Sequence, residues 1–134
     1  MKALFAIALP ILIFAGAAAA SQSGSYSGSW PVKVKLPPNF GNTDCLTLTD
    51  DGSAGSRHSG PVTSTGDIAP GLTGTFQVVR DLLVVNLEAG SGTGEVQYIT
   101  FIAHAQDGQI GKGVFNSPGV VKVSPLTFGE NGGC

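Results

Sequence analysis

The chain has 134 residues, with seven basic and nine acidic side chains and a formal net charge of −2. Its twenty glycines and eight prolines are too many for a helical bundle, and its 42% hydrophobic content is too high for a disordered chain. Nucleic-acid and anionic-membrane binding both need clustered positive charge, which a weakly acidic chain lacks. We therefore expect one ordered domain and no nucleic-acid partner.

Residues 1–20 have the composition of an export signal. Lys2 supplies a positive start, residues 3–14 are apolar and interrupted only by Pro10, and residues 17–20 are four alanines suited to cleavage. The apolar run is shorter than the roughly 20 residues that span a membrane as a helix. We predict a signal peptide that is removed before Ser21, no membrane span after its removal, and a secreted or periplasmic mature protein.

The two cysteines of the chain, Cys45 and Cys134, both lie in the mature part. An even number of cysteines in an exported protein predicts disulfide bonding, and two cysteines allow only one pairing. Without a nearby histidine the same pair would make a weak metal site. We expect a Cys45–Cys134 disulfide, which would also hold the glycine-rich C-terminus, and no bound metal.

The mature chain opens with a Ser/Gly-rich stretch, residues 21–29, which we predict to be a flexible lead-in to a single β domain over residues 30–134. From Trp30 to Leu36 every second residue is apolar, which is typical of a strand with one buried face. Similar patterns predict further strands at residues 46–49, 57–63, 75–79, 82–89, 96–105, 110–115 and 120–123, the last extended in an alternative interpretation to 128. Turn residues predict tight connections at 50–53, 90–94, 107–108 and 117–119, a hairpin turn near residues 80–81, and a longer loop at 64–72.

The short connections favour antiparallel strands that neighbour one another in chain order. An eight-stranded up-and-down barrel satisfies this pattern, because closure leaves no free edge. A two-sheet β-sandwich is the alternative, although it usually needs long crossovers. The predicted inward side chains are Trp30, Val32, Val34, Leu36, Leu46, Leu48, Val62, Phe76, Val78, Leu83, Val85, Leu87, Ile99, Phe101, Phe115, Val121 and Val123. This many bulky residues favours a filled interior, with at most a binding site at the barrel mouth.

Residues 26–30 read Tyr-Ser-Gly-Ser-Trp and place a G-x-W motif at the start of the first strand. With an eight-stranded meander, this motif resembles the calycin barrels, the lipocalin- and avidin-like families. The resemblance implies that Trp30 packs across one end of the barrel and that Gly28 lets the chain bend there. Lipocalins have an arginine on a late strand that stacks on this tryptophan. This sequence has no such arginine, and Lys122 is the residue that could take its place. The several tryptophans with which avidins hold biotin are missing too, so biotin binding is not expected.

Bacterial inhibitors of secreted metalloproteases are also small exported barrels with one disulfide, and the chain is similar to them in architecture. The N-terminal segment of such inhibitors enters the protease cleft, a part that residues 21–29 could play here. This resemblance implies an inhibitor of a secreted protease as an alternative function.

No pattern in the sequence predicts catalysis. His58 and His104 are the only histidines, nothing in the sequence brings them together, and we expect His104 to be a surface residue beside a turn. Residues 50–53 lack the closing glutamate of a calcium loop and predict a solvated turn. Residues 24–28 spell Gly-x-Ser-x-Gly, but they open a strand, whereas a nucleophile elbow joins a strand to a helix. We expect no enzymatic activity and no cofactor.

The outward face of the longest predicted strand is the candidate contact surface, formed by Tyr98, Ile102 and His104. We predict an exported, non-enzymatic binding protein whose partner is a small apolar molecule or another secreted protein. There are two alternatives: an inhibitor of a secreted protease, and a structural envelope-associated barrel without a ligand.

Overall fold

The chain forms eight β-strands in a computed structural model that describes residues 24–36, 42–90, 94–118 and 122–134. The strands are β1 Gly28–Val34, β2 Thr43–Leu48, β3 His58–Ser64, β4 Thr73–Val79, β5 Leu82–Gly90, β6 Val96–Gln106, β7 Gln109–Asn116 and β8 Ser124–Phe128. The described residues contain no helix, so this part of the chain is all-β, as the alternating patterns predict. The predicted signal peptide, residues 1–20, lies outside the described residues.

Each strand pairs antiparallel with the next strand along the chain, and β1 pairs with β8 to close the barrel. The closing register places Val32 opposite Phe128 and Val34 opposite Leu126. The predicted eight-stranded up-and-down barrel is therefore confirmed, and the two-sheet sandwich is excluded. Closure gives every strand a neighbour on both sides, so the sheet has no free edge.

Side chains from alternating strand positions fill the interior of the barrel. The largest of the fully buried ones are Trp30, Phe76 and Phe101. The predicted inward positions are buried and pack together as one core, except for those of the last strand and for Leu36, which is only partly buried. An eight-stranded barrel is just wide enough to be filled in this way.

The predicted start and inward positions of the last strand are wrong, and only the alternative extension to residue 128 contains β8. β8 begins at Ser124 rather than at residue 120, Val123 is 57% exposed, and Val121 lies outside the described residues. The buried side chains of β8 are Leu126 and Phe128. The closing register explains the difference, because pairing with β1 turns these even-numbered positions inward, whereas the local apolar run favours the odd-numbered ones.

The Ser/Gly-rich lead-in is shorter than predicted, because the chain is attached to the barrel from Gly24 onward. β1 already begins at Gly28, and Tyr26 is buried as part of the core. A side chain at position 24 would contact the backbone of Asp107, in the turn between β6 and β7. Residues 21–23 lie outside the described part of the chain.

The loop between β3 and β4 covers the end of the barrel opposite Tyr26. Ala69 in this loop is fully buried, and its N–H donates to Oδ2 of Asp44 at 2.7 Å. The N–H of Cys45 donates to Oδ1 of the same carboxylate at 2.8 Å, and the hydroxyl of Ser64 donates to the Ala69 carbonyl. Burial raises the pKa of the Asp44 carboxyl, although the amide hydrogen bonds act in the opposite direction. The buried Asp44 carboxyl group therefore holds the loop between β3 and β4 against the barrel.

The predicted disulfide between Cys45 and Cys134 is present, with 6.1 Å between the two Cα atoms. The C-terminal segment that leads to it runs beside β1. The N–H of Gly129 donates to the Pro31 carbonyl and that of Gly132 to the Ser29 carbonyl, each at 2.7 Å. The disulfide thus ties the end of the chain to β2 across the start of β1.

Candidate binding site at one end of the barrel

Tyr26 and Trp30 close the end of the barrel at which β1 begins. The indole N–H of Trp30 donates to the Tyr26 carbonyl at 3.0 Å, and the Trp30 side chain is 1% exposed. Its predicted burial is therefore confirmed. The Tyr26 ring meets the His58 imidazole edge to face, with 5.3 Å between the ring centroids. The backbone and ring of Tyr26 together form a cap over the core.

Gly28 allows the C-terminal segment to cross the start of β1 at close range. Its φ of 147° lies in the region that glycine adopts readily, and a Cβ atom there would collide with the side chain of Asn131. The Asn131 amide donates to the Ser27 carbonyl at 2.9 Å. Gly28 therefore provides room for a second segment of chain at this end of the barrel.

A buried carboxylate orients the histidine beside this cap. Asp50 follows the end of β2, His58 begins β3, and their Oδ2 and Nδ1 atoms are 2.9 Å apart. The same Oδ2 accepts the Tyr26 N–H at 2.9 Å, and the Asp50 side chain is only 4% exposed. Because Nδ1 is used in this way, Nε2 is the nitrogen of His58 that remains for another partner.

A cavity of about 440 Å³, here called the mouth cavity, opens over this end of the barrel. Its floor contains Tyr26, Val78 and Ala105. Its walls are polar and carry charges of both signs, and they are formed by Arg57, His58, Arg80, Asp81, Gln106 and Asp107. The size falls within the usual range for small-molecule sites, about 300–1,000 Å³, but the walls are more polar than in most of them.

Two tight turns shape the mouth cavity. The turn between β6 and β7 has positive φ angles at Asp107 and Gly108, of 52° and 78°, which suits the predicted Asp-Gly hairpin. The turn between β4 and β5 has a φ of 58° at Arg80. An arginine in this conformation is strained by about 1–2 kcal/mol, and a glycine would avoid that cost.

The phenol of Tyr26 stays neutral well into the alkaline range. Burial is the main cause of its raised pKa, and the nearby carboxylates of Asp107, Asp50 and Asp81 raise it further. The backbone N–H of Gly108 acts in the opposite direction. The Tyr26 phenol is therefore uncharged at neutral pH.

The predicted contact residues lie on the outer face of β6. Tyr98 is 51% exposed, Ile102 is half-buried and His104 is exposed. The register places Ile102 between Val84 on β5 and Val114 on β7, so the three side chains form a short apolar row. These residues do not contribute to the mouth cavity, and their role as a contact surface stays a prediction.

The sequence did not identify the Asp50–His58 pair or Arg80 as site residues. Asp50 lies in the predicted solvated turn, where Asp51 does adopt the expected local role by accepting the Ser53 N–H at 2.9 Å. The available clue is that Asp50 and His58 flank the connection between two strands predicted to be neighbours. The predicted hairpin turn near residues 80–81 is confirmed, but arginine is not a residue type that marks a positive φ in such a turn.

In the described part of the chain, the chemically reactive groups of the site are one histidine–carboxylate pair and the Arg80 guanidinium. No group of three His, Cys, Asp or Glu side chains in the described part of the chain could hold a metal ion. Within the same ranges, the His58 ring makes a single hydrogen bond, to Asp50, and no hydroxyl or thiol group completes a nucleophilic triad with it. The arrangement can bind a polar group, since it presents a fixed imidazole nitrogen and the Arg80 guanidinium to the cavity.

No protein-family model matches the chain, and no curated protein or solved structure is detectably similar to it. The structure thus defines an eight-stranded, disulfide-linked β-barrel with a polar cavity at one end. The disulfide is compatible with an oxidising compartment outside the cytosol. Within the described ranges, no helix has the length and apolar character needed to cross a membrane.

Proposed function

We propose that this is an exported, non-enzymatic binding protein and that its ligand occupies the mouth cavity rather than the barrel interior. The proposal is carried by the contrast between these two spaces. The interior is filled with buried side chains, whereas the mouth cavity is open and lined by polar groups.

Among the described residues, buried side chains occupy the interior in which a hollow barrel would carry an apolar ligand. Trp30, Phe76 and Phe101 are fully buried within it. Tyr26 caps one end, and Ala69 is buried at the other. An apolar ligand would have to displace at least one of these buried residues from the core. The loss of core packing is costly, since deletion of a large core side chain typically costs about 3–5 kcal/mol.

A likeness to the calycin barrels is proposed for the architecture alone. Trp30 lies buried near the start of β1 and at the end of the barrel, as the G-x-W resemblance implies. Lys122 is exposed, and the described side chains show no cation–π contact with Trp30. The lipocalin mode of binding inside the barrel is not part of the proposal.

Export is proposed from the apolar N-terminal segment together with the disulfide. Mass spectrometry of the protein recovered outside the cytosol tests it. We expect a mature chain that begins at Ser21 or within a few residues of it. A mass that retains residues 1–20 would contradict export by a cleaved signal peptide.

The binding proposal is tested by a fragment screen observed through backbone amide chemical shifts. Polar and apolar fragments are added separately to the mature protein. We expect polar fragments to shift amides of residues 57–59, 78–81 and 105–108, and apolar fragments to leave the core positions Val85 and Phe101 unshifted. Shifts centred on those core positions would favour a carrier, and shifts confined to the outer face of β6 would favour a protein contact there.

A protein partner, such as a secreted protease, is the second candidate. Val79 and Leu82 face each other across the β4–β5 turn and are 54% and 46% exposed, although both are apolar. An exposed apolar pair at a hairpin tip suits insertion into a partner's groove. The N-terminal segment suits this role less well than predicted, because it is attached to the barrel from Gly24 onward.

Inhibition assays against secreted metalloproteases and serine proteases test the second candidate. If the β4–β5 turn enters the partner, a Val79→Ser/Leu82→Ser double variant should lose inhibition while the fold is kept. The matched control is Val123→Ser, which removes a similarly exposed apolar side chain next to the start of β8. No inhibition of any protease by the parent protein would exclude this function for the enzymes assayed.

A further inference from the structure

We propose that the mouth cavity binds a free α-amino acid or a closely similar small zwitterion, with its carboxylate on Arg80 and its ammonium group donating to Nε2 of His58. This inference rests on the proposed function and specifies the ligand of the same site. It follows from three features of the cavity: a strained arginine, an oriented histidine and a balance of opposite charges.

The arginine is held at a position where the fold favours glycine. Arg80 has a φ of 58° in the turn between β4 and β5. In the described part of the chain its guanidinium makes no hydrogen bond or ion pair, although Asp81 and Asp107 line the same cavity. A strained residue whose side chain does not stabilise the fold is commonly retained for binding. Its planar guanidinium is suited to a carboxylate, which it can bind through two parallel hydrogen bonds.

One ring nitrogen of His58 is hydrogen-bonded to Asp50, and the other is available to a ligand. Oδ2 of Asp50 lies 2.9 Å from Nδ1 of His58, and the Tyr26 ring packs against the imidazole at an interplanar angle of 82°. These two contacts fix the plane of the ring at the cavity wall. Because the Asp50 carboxylate accepts the Nδ1–H, Nε2 of the neutral imidazole is an acceptor. A ligand ammonium group can therefore donate to Nε2 without a reorientation of the side chain, which lowers the entropic cost of binding.

The charges on the walls exclude a polyanion and favour a zwitterion. Arg57 and Arg80 carry positive charge, whereas Asp81 and Asp107 carry negative charge. A phosphate or a dicarboxylate would gain from Arg80 but would be repelled by the aspartates. A ligand with one carboxylate and one ammonium group can satisfy both. An α-amino acid carries these groups on neighbouring atoms, and the volume of about 440 Å³ leaves space for its side chain.

Calorimetric titration with matched probes tests the inference. L-Alanine, L-glutamine and L-arginine are each compared with their N-acetyl form, which lacks the ammonium charge, and with their amide, which lacks the carboxylate. We expect at least one free amino acid to bind, and both of its derivatives to bind about tenfold more weakly or worse, since a charge-assisted hydrogen bond is lost in each.

Variants assign the contacts. Arg80→Gly should weaken amino-acid binding by about tenfold or more. His58→Asn should do the same, because the asparagine amide can still donate to Asp50 but has no counterpart of Nε2. Lys112→Ala removes a cation from the outer face of β7 and should leave the affinity unchanged. Unchanged affinity in both Arg80→Gly and His58→Asn would overturn the assignment.

The outcomes separate this inference from the proposed function. Equal binding of a free amino acid and its amide, or of a free amino acid and its N-acetyl form, overturns the zwitterion while the mouth cavity remains the site. Preferential binding of a peptide with a free C-terminus also overturns it, in favour of a protein ligand. If other fragments shift the mouth amides and no amino acid binds, only the inference fails. If no fragment and no amino acid binds in the mouth cavity, both the inference and the proposed function fail.

Discussion

Asp50 and His58 lie at opposite ends of the connection between β2 and β3, and a 2.9 Å hydrogen bond joins Oδ2 of the aspartate to Nδ1 of the histidine. The same carboxylate oxygen accepts the backbone N–H of Tyr26. One buried side chain therefore fixes the β2–β3 connection, the histidine of the mouth cavity and the cap over the core. The site is built on the closed end of the barrel and depends on its packing.

Replacement of Asp50 should destabilise the protein. Asp50→Ala leaves the Tyr26 N–H and the His58 ring without their acceptor, and loss of such a partner costs about 1–3 kcal/mol. Urea unfolding followed by circular dichroism measures the change. Asp51→Ala is the matched control, because its carboxylate is exposed and accepts only a local hydrogen bond from Ser53. Equal losses in the two variants would contradict the structural role assigned to Asp50.

Truncation of Trp30 should be among the most damaging single changes. Trp30→Ala removes a fully buried side chain and its hydrogen bond to the Tyr26 carbonyl, and it should cost about 3–5 kcal/mol. Trp30 is the only tryptophan, so its fluorescence reports on this site alone. We expect blue-shifted emission that iodide quenches poorly. Emission like that of free indole, with a melting temperature unchanged by the substitution, would show that the tryptophan is exposed.

Removal of the disulfide should lower the melting temperature by several degrees. Cys45 and Cys134 are separated by 89 residues, and the chain-entropy model assigns a loop of this length about 4–5 kcal/mol as an upper guide. Thermal unfolding of a Cys134→Ser variant, compared with that of the parent protein with and without reductant, measures the effect. The reductant should leave the variant unchanged. Identical melting temperatures for the oxidised parent and the variant would show that the bond contributes nothing to stability.

The pH dependence of stability should reveal the buried Asp44. Burial raises the pKa of this carboxyl in the folded protein above its ordinary value of 3.8. The folded state therefore binds the proton more tightly than the unfolded state, and this contribution to stability grows as the pH falls through the folded-state pKa and is lost as the pH rises through it. The free energy of unfolding of the parent, relative to that of Asp44→Asn, should increase on acidification. A difference that is independent of pH or falls on acidification would contradict the raised pKa.

The barrel could be predicted from the sequence because its strands and turns are specified by local residue patterns. Apolar residues alternate along β1, β5 and the later part of β6, and a two-residue Asp-Gly turn marks the β6–β7 hairpin. The last strand was misplaced because its register depends on β1, about ninety residues earlier in the chain. A run of valines before Ser124 carried the local signal, whereas the pairing of Val34 with Leu126 decides which side chains are buried.

The site could not be predicted because it depends on contacts between distant segments. Tyr26 lies in a Ser/Gly-rich stretch, and only the folded chain places its ring beside His58 and its N–H on Asp50. The contribution of Arg80 depends on a backbone angle that no neighbouring residue indicates. In contrast, the outward direction of Tyr98 follows from simple alternation along β6, and the structure agrees with it.

The measurement that tests the central claim most directly combines stability and binding in the variant Arg80→Gly. Glycine relieves the strained φ of 58° at this position. If Arg80 serves ligand binding rather than the fold, the free energy of unfolding of the variant should equal that of the parent or exceed it by about 1 kcal/mol. The same variant should lose the chemical-shift response of residues 57–59 and 105–108 to mouth-binding fragments. A variant that is less stable than the parent and binds these fragments unchanged would show that Arg80 serves the fold, and it would contradict a binding site at the mouth built around this residue.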